Sequence, residues 1–467
     1  MFKTILFDQL TPIALYGELK AIFSNEVTML FESVVNNSEG NFSFIAIGAK
    51  ERLTYKDNKT SHTDEAGILK HIDKDPFAFL KSYYSSLDQA HYKSISDKAG
   101  FSFVDGFIGF IGYDMVKVFE PVLAHSMDML NDTLNTPDLD LIRPKVIIGY
   151  SHKNATLTII QNDNSLGNAV EQIEALLQKP HSFLQLQRAN LKDGGLNINE
   201  KRFKDLVEES KERIRAGDIF QILISNRYTQ NGSVDPISFY RLLRSKNPSP
   251  YLFLLEYEDF AICGSSPEVM IRLNDGNILL RPIAGTRKRG KDTLRDKELE
   301  QEMLHDPKEC AEHLMLIDLG RNDVGRVAQT GSVKVTDMMR VEKYSHVMHM
   351  VSDVEAILSE DKDMFDLFAA TFTAGTMTGA PKIKAMELIA HFEGLKRGFY
   401  SGCVGYFAFN GNMDSAIAIR TALIQPDKIT LQAGAGVVAD SKPELEFLEV
   451  NNKLGALVAT LQELEKV

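Results

Sequence analysis

The sequence predicts an α+β fold in which antiparallel sheets are flanked by helices. Three observations lead there. Runs of strand-forming residues at 219–225, 251–256, 269–273, 403–409, 416–423 and 428–433 are bounded by short turns, as in antiparallel sheets. The long helical patterns come late in the chain instead of alternating with strands, as a parallel sheet would require. Finally, 44% apolar and 25% charged residues over 467 positions describe a globule with a large core.

Length and charge bound the function. At roughly 150 residues per domain the chain holds two or three compact units. The formal charge of −12 argues against a nucleic-acid partner, because such binding rests on neutralising phosphates. No apolar run approaches the roughly 18 residues of a membrane span, so no membrane partner is expected. The N-terminus reaches Asp8 before a signal-peptide core can form. The cysteines, Cys263, Cys310 and Cys403, are odd in number and lack Cys-x-x-Cys spacing, which fits a reducing, cytoplasmic location.

In chain order, alternating runs at 42–47, 106–113 and 145–150 mix with a helical pattern at 169–177. From Gln178 to Asn199 the apolar period fails and breakers accumulate, so the N-terminal region is taken as 1–190 and the C-terminal unit as 191–467. That unit opens with Phe203, Leu206, Val207 and Ile214 at helical spacing and a stop at Gly217. Asp306-Pro307-Lys308-Glu309 reads as an N-cap with proline at the first turn and a capping box, and Ser441-Lys442-Pro443-Glu444 reads the same way. Each of these two helices then carries acids three apart, Glu309 with Glu312 and Glu446 with Glu449, so each pair shares a face.

Such carboxylate pairs suit Mg²⁺, a hard ion that keeps waters and takes oxygens, and equally suit a capped helix with a solvated face. His346 and His349 fall together on a helix or turn, but no His-Glu-x-x-His accompanies them; each is an acid–base candidate or a satisfied buried histidine. The segment from Gly375 to Pro381 before a helical pattern presents N–H groups and hydroxyls that suit an anion, or else makes an ordinary turn. Ala433-Gly434-Ala435-Gly436 lacks the third glycine of a dinucleotide loop. Cys403 in Ser-Gly-Cys-Val-Gly has no histidine after His391 to serve as its base, which favours a structural thiol over a glutaminase nucleophile.

Taken together, these segments resemble the chorismate-utilising enzymes, and among them the large subunits of anthranilate synthases, from about Leu30 to Lys453. The resemblance rests on Leu30-Phe31-Glu32-Ser33, Gly112-Tyr113-Asp114, Gly217 to Gln221, Asn247 to Tyr251 and Ser265-Ser266-Pro267-Glu268. It continues through Pro282 to Arg287, Ala311-Glu312-His313, Arg321-Asn322-Asp323, Gly375 to Pro381 and Pro443 to Lys453. It implies the chorismate-utilising fold, with the N-terminal half packed on a C-terminal catalytic unit.

It also implies site roles. Glu312 and Glu449 would hold Mg²⁺, with Glu309 and Glu446 nearby, and the ion would anchor the ring carboxylate of chorismate. Gly285, Thr286 and Thr376 would line the ring; Tyr400, Arg420, Gly434, Ala435, Gly436 and Lys453 would bind the rest of the substrate. Glu268 would protonate the departing C4 hydroxyl as ammonia adds at C2, and His349 would assist elimination of pyruvate. Thr376 belongs with these two catalytic groups. A separate amidotransferase subunit would supply ammonia from glutamine.

Two positions separate relatives. Similar aminodeoxychorismate synthases place lysine where this chain has Ala284, and similar isochorismate synthases place lysine where it has Gln221. The alternatives are an aminodeoxychorismate synthase and an idle tryptophan-sensing subunit. Feedback inhibition by tryptophan is implied, with Ser33, Pro250, Tyr251 and Leu252 at the effector pocket; Asn41 stands where arginine is frequent and Leu252 where methionine is common. The absence of tryptophan from the chain is compatible with an enzyme made when tryptophan is scarce.

Overall fold

A computed structural model describes residues 2–33, 42–181, 184–344 and 347–467, with Thr286 described by its backbone alone. Asn41 and His346 lie outside the described residues.

Two long antiparallel ladders cross at one strand pair. The first runs from Asn190–Leu196 through Gln221–Ser233, Lys428–Val437, Thr421–Gln425, Ala261–Ser266, Tyr251–Glu256 and Thr28–Glu32 to Phe42–Lys56. The second runs from Leu139–Ser151 through Gly106–Ile111, Cys403–Ala408, Met413–Ile417, Val269–Asn274 and Asn277–Leu280 to Val347–Ile357, which also pairs with Ile283–Lys288 and Lys334–Lys343. Phe42–Lys56 and Leu139–Ser151 pair over nearly their whole length and serve both ladders. Their register slips between Ala49 and Glu51, a bulge that bends the strand from one sheet toward the other.

The N-terminal half therefore packs on the C-terminal unit by strand pairing: Thr28–Glu32 on Tyr251–Glu256, and Gly106–Ile111 on Cys403–Ala408. Strand Asn190–Leu196 enters on the edge of Gln221–Ser233. Phe107, Phe110, Ile271 and Phe407 belong to a core that joins the two sheets. A second core, with Leu254, Leu431 and Ala435, lies under helices Glu200–Arg215, Pro236–Lys246 and Pro443–Leu464. At about 25 cal/mol per Å² of apolar surface, such burial is the main force holding these layers together.

The helix Glu200–Arg215 forms where its apolar period predicts, with the Asn199 side chain accepting from the Arg202 amide at 2.9 Å. Other boundaries differ. The expected strand 416–423 is two strands, Met413–Ile417 and Thr421–Gln425, because Arg420 turns the chain with φ +50°. Asp306 caps Pro307–Gly325, but Glu309 completes no capping box; its carboxylate takes the Arg287 guanidinium at 2.7 Å. The last helix has Lys442 at its N-cap and no side-chain cap bond; the Ser441 hydroxyl instead accepts from the Val438 amide. The Gly434 segment is mid-strand, not a loop, and Cys403 is buried in a strand. Among the described residues, no helix is long and apolar enough to cross a membrane.

Candidate active site

Four elements converge on a cavity of about 600 Å³. Helix Pro307–Gly325 buries His313, Leu316, Ile317 and Gly320, leaving Glu309 and Glu312 one turn apart at the cavity. Helix Pro443–Leu464 buries Val450, Leu454, Leu457 and Leu461, while its Glu446, Glu449 and Lys453 line the same cavity. Strand Val347–Ile357 supplies His349, and the turn between the split strands supplies Arg420. His349 thus stands on a strand, not on the helix or turn expected. Two helical faces, one strand and one turn bring together residues spread from Glu309 to Lys453.

The carboxylates crowd one another. Burial raises the Glu312 carboxyl, and the facing charges of Glu309 and Glu449 raise it further. Burial also raises Glu446, again with Glu449 pushing in the same direction. The Gln221 amide donates to Glu312 at 3.3 Å, and Lys453 pairs with Glu449 at 2.8 Å while donating to the Gly434 carbonyl at 2.9 Å. Like charges gathered this way favour a cation. Among the described residues no three acidic, histidine or cysteine groups converge on one metal position. A hard ion that keeps several waters needs only one or two protein carboxylates, so the donor set fits Mg²⁺.

His349 is 5% exposed, and its Nδ1 lies 3.0 Å from the Gly285 carbonyl oxygen, which fixes the ring. Burial lowers its pKa, holding it neutral near pH 7. Gly285 has φ +60°, and a Cβ there would sit 3.0 Å from the Glu309 carboxylate; only glycine lets the backbone turn its carbonyl to the imidazole so close to that acid. His313, fully buried, ties the glutamate helix to the histidine strand through Ser352 at 2.7 Å.

Glu268 lies next door. With Thr376 it lines a small adjoining cavity of about 30 Å³, while its neighbour Pro267 lines the large one. The Thr376 hydroxyl donates to Glu268 at 2.8 Å. Burial raises the Glu268 carboxyl to about 7, against the opposing pull of Thr376, Lys453 and Arg420. A carboxyl so placed holds a proton near neutral pH and can give it up. Burial lowers the Arg420 pKa, opposed by Glu268 and Tyr344.

Of the sequence-predicted residues, the large cavity gathers Gly285, Glu309, Glu312, His349, Arg420, Gly436, Glu446, Glu449 and Lys453. Tyr400 and Gly434 stand a layer behind: a Cβ on Gly434 would lie 3.1 Å from the Tyr400 hydroxyl, and Tyr400 lies under the Arg397 guanidinium. Ala435 is buried in the same strand. The Thr286 side chain lies outside the described residues. Lys246, Lys308, Tyr344 and Asn452 also line the cavity and carried no sequence signal of their own.

The predicted effector residues Ser33, Pro250, Tyr251 and Leu252 line a second cavity of about 730 Å³. Asn247, Pro248 and Ser249, from the same motif, face the first cavity instead. One loop therefore divides between the two. The Tyr251 hydroxyl donates to Asp414 at 2.9 Å and accepts from Arg272 at 2.7 Å.

Residues 28–459 match the family described as chorismate binding enzyme. The chain belongs to that family. Relatives match it over nearly its whole length. It is 39% identical to anthranilate synthase component 1 of Aquifex aeolicus, covering 100% of this chain and 95% of the relative. It is 40% identical to the protein of that name from Acinetobacter calcoaceticus, covering 99% and 95%. The crystal structure of anthranilate synthase component I from Streptococcus pneumoniae superposes with TM-score 0.78 at 33% identity, covering 91% of this chain and 94% of that one. The menaquinone-specific isochorismate synthase of Escherichia coli shares the fold, with TM-score 0.72 at 18% identity over 99% and 94% of the two chains.

Proposed function

We propose that this chorismate binding enzyme is the large subunit of an anthranilate synthase, turning chorismate and ammonia into anthranilate, pyruvate and water. The observation that carries the proposal is the pairing of two differently tuned groups. Glu268, pushed up to about 7, stands beside Arg420 and Lys453, while His349, held neutral by burial, lines the cavity with four glutamates.

Glu268 donates its proton to the C4 hydroxyl, which leaves as water while ammonia attacks C2 with its lone pair. The ammonium formed at C2 loses a proton, restoring the balance. In the second stage the hydrogen at C2 leaves as a proton, its electrons aromatise the ring as the bond from ring C3 to the enolpyruvyl oxygen breaks, and the released enolate takes up a proton at its methylene carbon to depart as pyruvate. His349 assists that transfer, its Nδ1 held against Gly285. Arg420 and Lys453 bind the side-chain carboxylate with charge-assisted bonds, and buried Tyr400 backs the Gly434 strand.

Glu312 and Glu449 would hold Mg²⁺, with Glu309 and Glu446 beside them; the ion, when bound, neutralises and anchors a substrate carboxylate. No amine occupies position 284 or 221, so neither a covalent amine route nor a lysine-activated water is available at those places. Cys403 is buried with its thiol pushed up by burial, so ammonia would come from an amidotransferase partner when glutamine is the source. The second cavity would take tryptophan as inhibitor. Free Cys263, Cys310 and Cys403 suit the cytoplasm. The test is product identity: chorismate, Mg²⁺ and ammonium should give the 2-amino product, anthranilate, and not a 4-amino or hydroxylated ring.

A further inference from the structure

The two cavities share wall residues, Pro267 and Tyr344. Tyr344 touches the chemistry on one side: its ring meets the His349 imidazole edge-on, with centroids 5.7 Å apart and planes at 61°. On the other side its hydroxyl donates to the Glu342 carboxylate at 2.7 Å, and Glu342 lines the second cavity. Glu342 is itself held. It accepts from Arg340 at 2.8 Å, Arg340 pairs with Asp353 at 3.0 Å, and Asp353 accepts from Arg281 at 2.6 Å. Arg281 returns to the wall of the second cavity. Glu342 also stands opposite His349 in the strand ladder, so the anchor and the imidazole share one backbone frame.

We infer that Tyr344 is a positioning residue that sets the orientation of His349 from an anchor in the second cavity. A ring gripped at its hydroxyl by a fixed carboxylate has one place to stand, and the imidazole packs against that place. A ligand that fills the second cavity and displaces Glu342 or Arg281 moves the phenol, and through it the imidazole. The route is a short chain of contacts, with differential binding to two placements of one side chain as its energy source. The inference rests on the roles proposed above for His349 and for tryptophan, and deepens both.

The test uses Tyr344→Leu and Tyr344→Phe in the full chain. Because the chain contains no tryptophan, fluorescence anisotropy of added tryptophan reports occupancy directly. Tyr344→Leu should lower kcat with ammonia about tenfold or more while KM for chorismate stays within about threefold. Tyr344→Phe, which keeps the ring on the imidazole but loses the hydroxyl's hold on Glu342, should recover only part of that kcat. With tryptophan bound, as anisotropy verifies, Tyr344→Phe should show at most about a twofold change in kcat, against a larger fall in wild type. A KM that rises as far as kcat falls in Tyr344→Leu would overturn the positioning role. A Tyr344→Phe enzyme inhibited as strongly as wild type would overturn the coupling. Wild type that fails to bind tryptophan would remove the effector proposal alone, and the kcat–KM split would still decide whether Tyr344 positions His349.

Discussion

The Thr376 hydroxyl donates to the Glu268 carboxyl at 2.8 Å beside a small cavity, and burial still holds that carboxyl up at about 7 against it. The two effects oppose each other. Burial disfavours the ionised acid, while a donor to its oxygen favours it.

The opposition gives a signed pH prediction. A general acid works protonated, so kcat/KM for chorismate should fall as pH rises through about 7, the value to which Glu268 is raised. Thr376→Val removes a bond that lowers the pKa, so the falling limb should move to higher pH. Glu268→Gln should lose roughly 10²- to 10⁴-fold in kcat. Rate profiles from pH 6 to 9 check all three. A limb that stays put in Thr376→Val would show that the titrating group is elsewhere.

Glu312 yields a prediction about metal and stability together. Burial and its neighbours Glu309 and Glu449 penalise its charge, so Glu312→Gln should leave metal-free Tm unchanged or higher while abolishing Mg²⁺-supported turnover. Glu449→Gln should abolish turnover likewise. Calorimetric Mg²⁺ titration and thermal melts provide the readouts. Near wild-type activity at low Mg²⁺ in either variant would remove it as a ligand.

The nitrogen source follows from Cys403. That thiol is 1% exposed inside a strand. The isolated chain should therefore use ammonium and leave glutamine intact, and Cys403→Ala should keep its ammonia-dependent rate within about twofold. Glutamine hydrolysis by the purified chain, lost in Cys403→Ala, would contradict this.

Regulation is testable at Ser33, which follows strand Thr28–Glu32 on the wall of the second cavity. Tryptophan should raise the KM for chorismate in wild type. Ser33→Leu should relieve that inhibition by about tenfold or more with little change in the uninhibited rate. Chorismate saturation curves with and without tryptophan decide it, and equal sensitivity of the two proteins would remove Ser33 from the effector site.

Much of this was legible because the chemistry sits on periodic elements. Glu309 with Glu312, and Glu446 with Glu449, share helical faces by spacing alone, and helical period also locates Glu200–Arg215. What spacing cannot show is which faces meet. The Glu268–Thr376 bond joins positions 108 apart, and Tyr344 gained its place only when strands Lys334–Lys343 and Val347–Ile357 paired. The break at Arg420 was hidden for another reason: a left-handed turn by arginine carries no glycine to announce it. Nor does a linear motif reveal that Asn247 to Ser249 and Pro250 to Leu252 serve different cavities.

The central claim is tested most directly by mixing the purified chain with chorismate, Mg²⁺ and ammonium, following product fluorescence and identifying it by mass. The predicted result is anthranilate with one equivalent of pyruvate, lost when Mg²⁺ is chelated. Formation of isochorismate or of a 4-amino product, or consumption of no chorismate at all under these conditions, would contradict it.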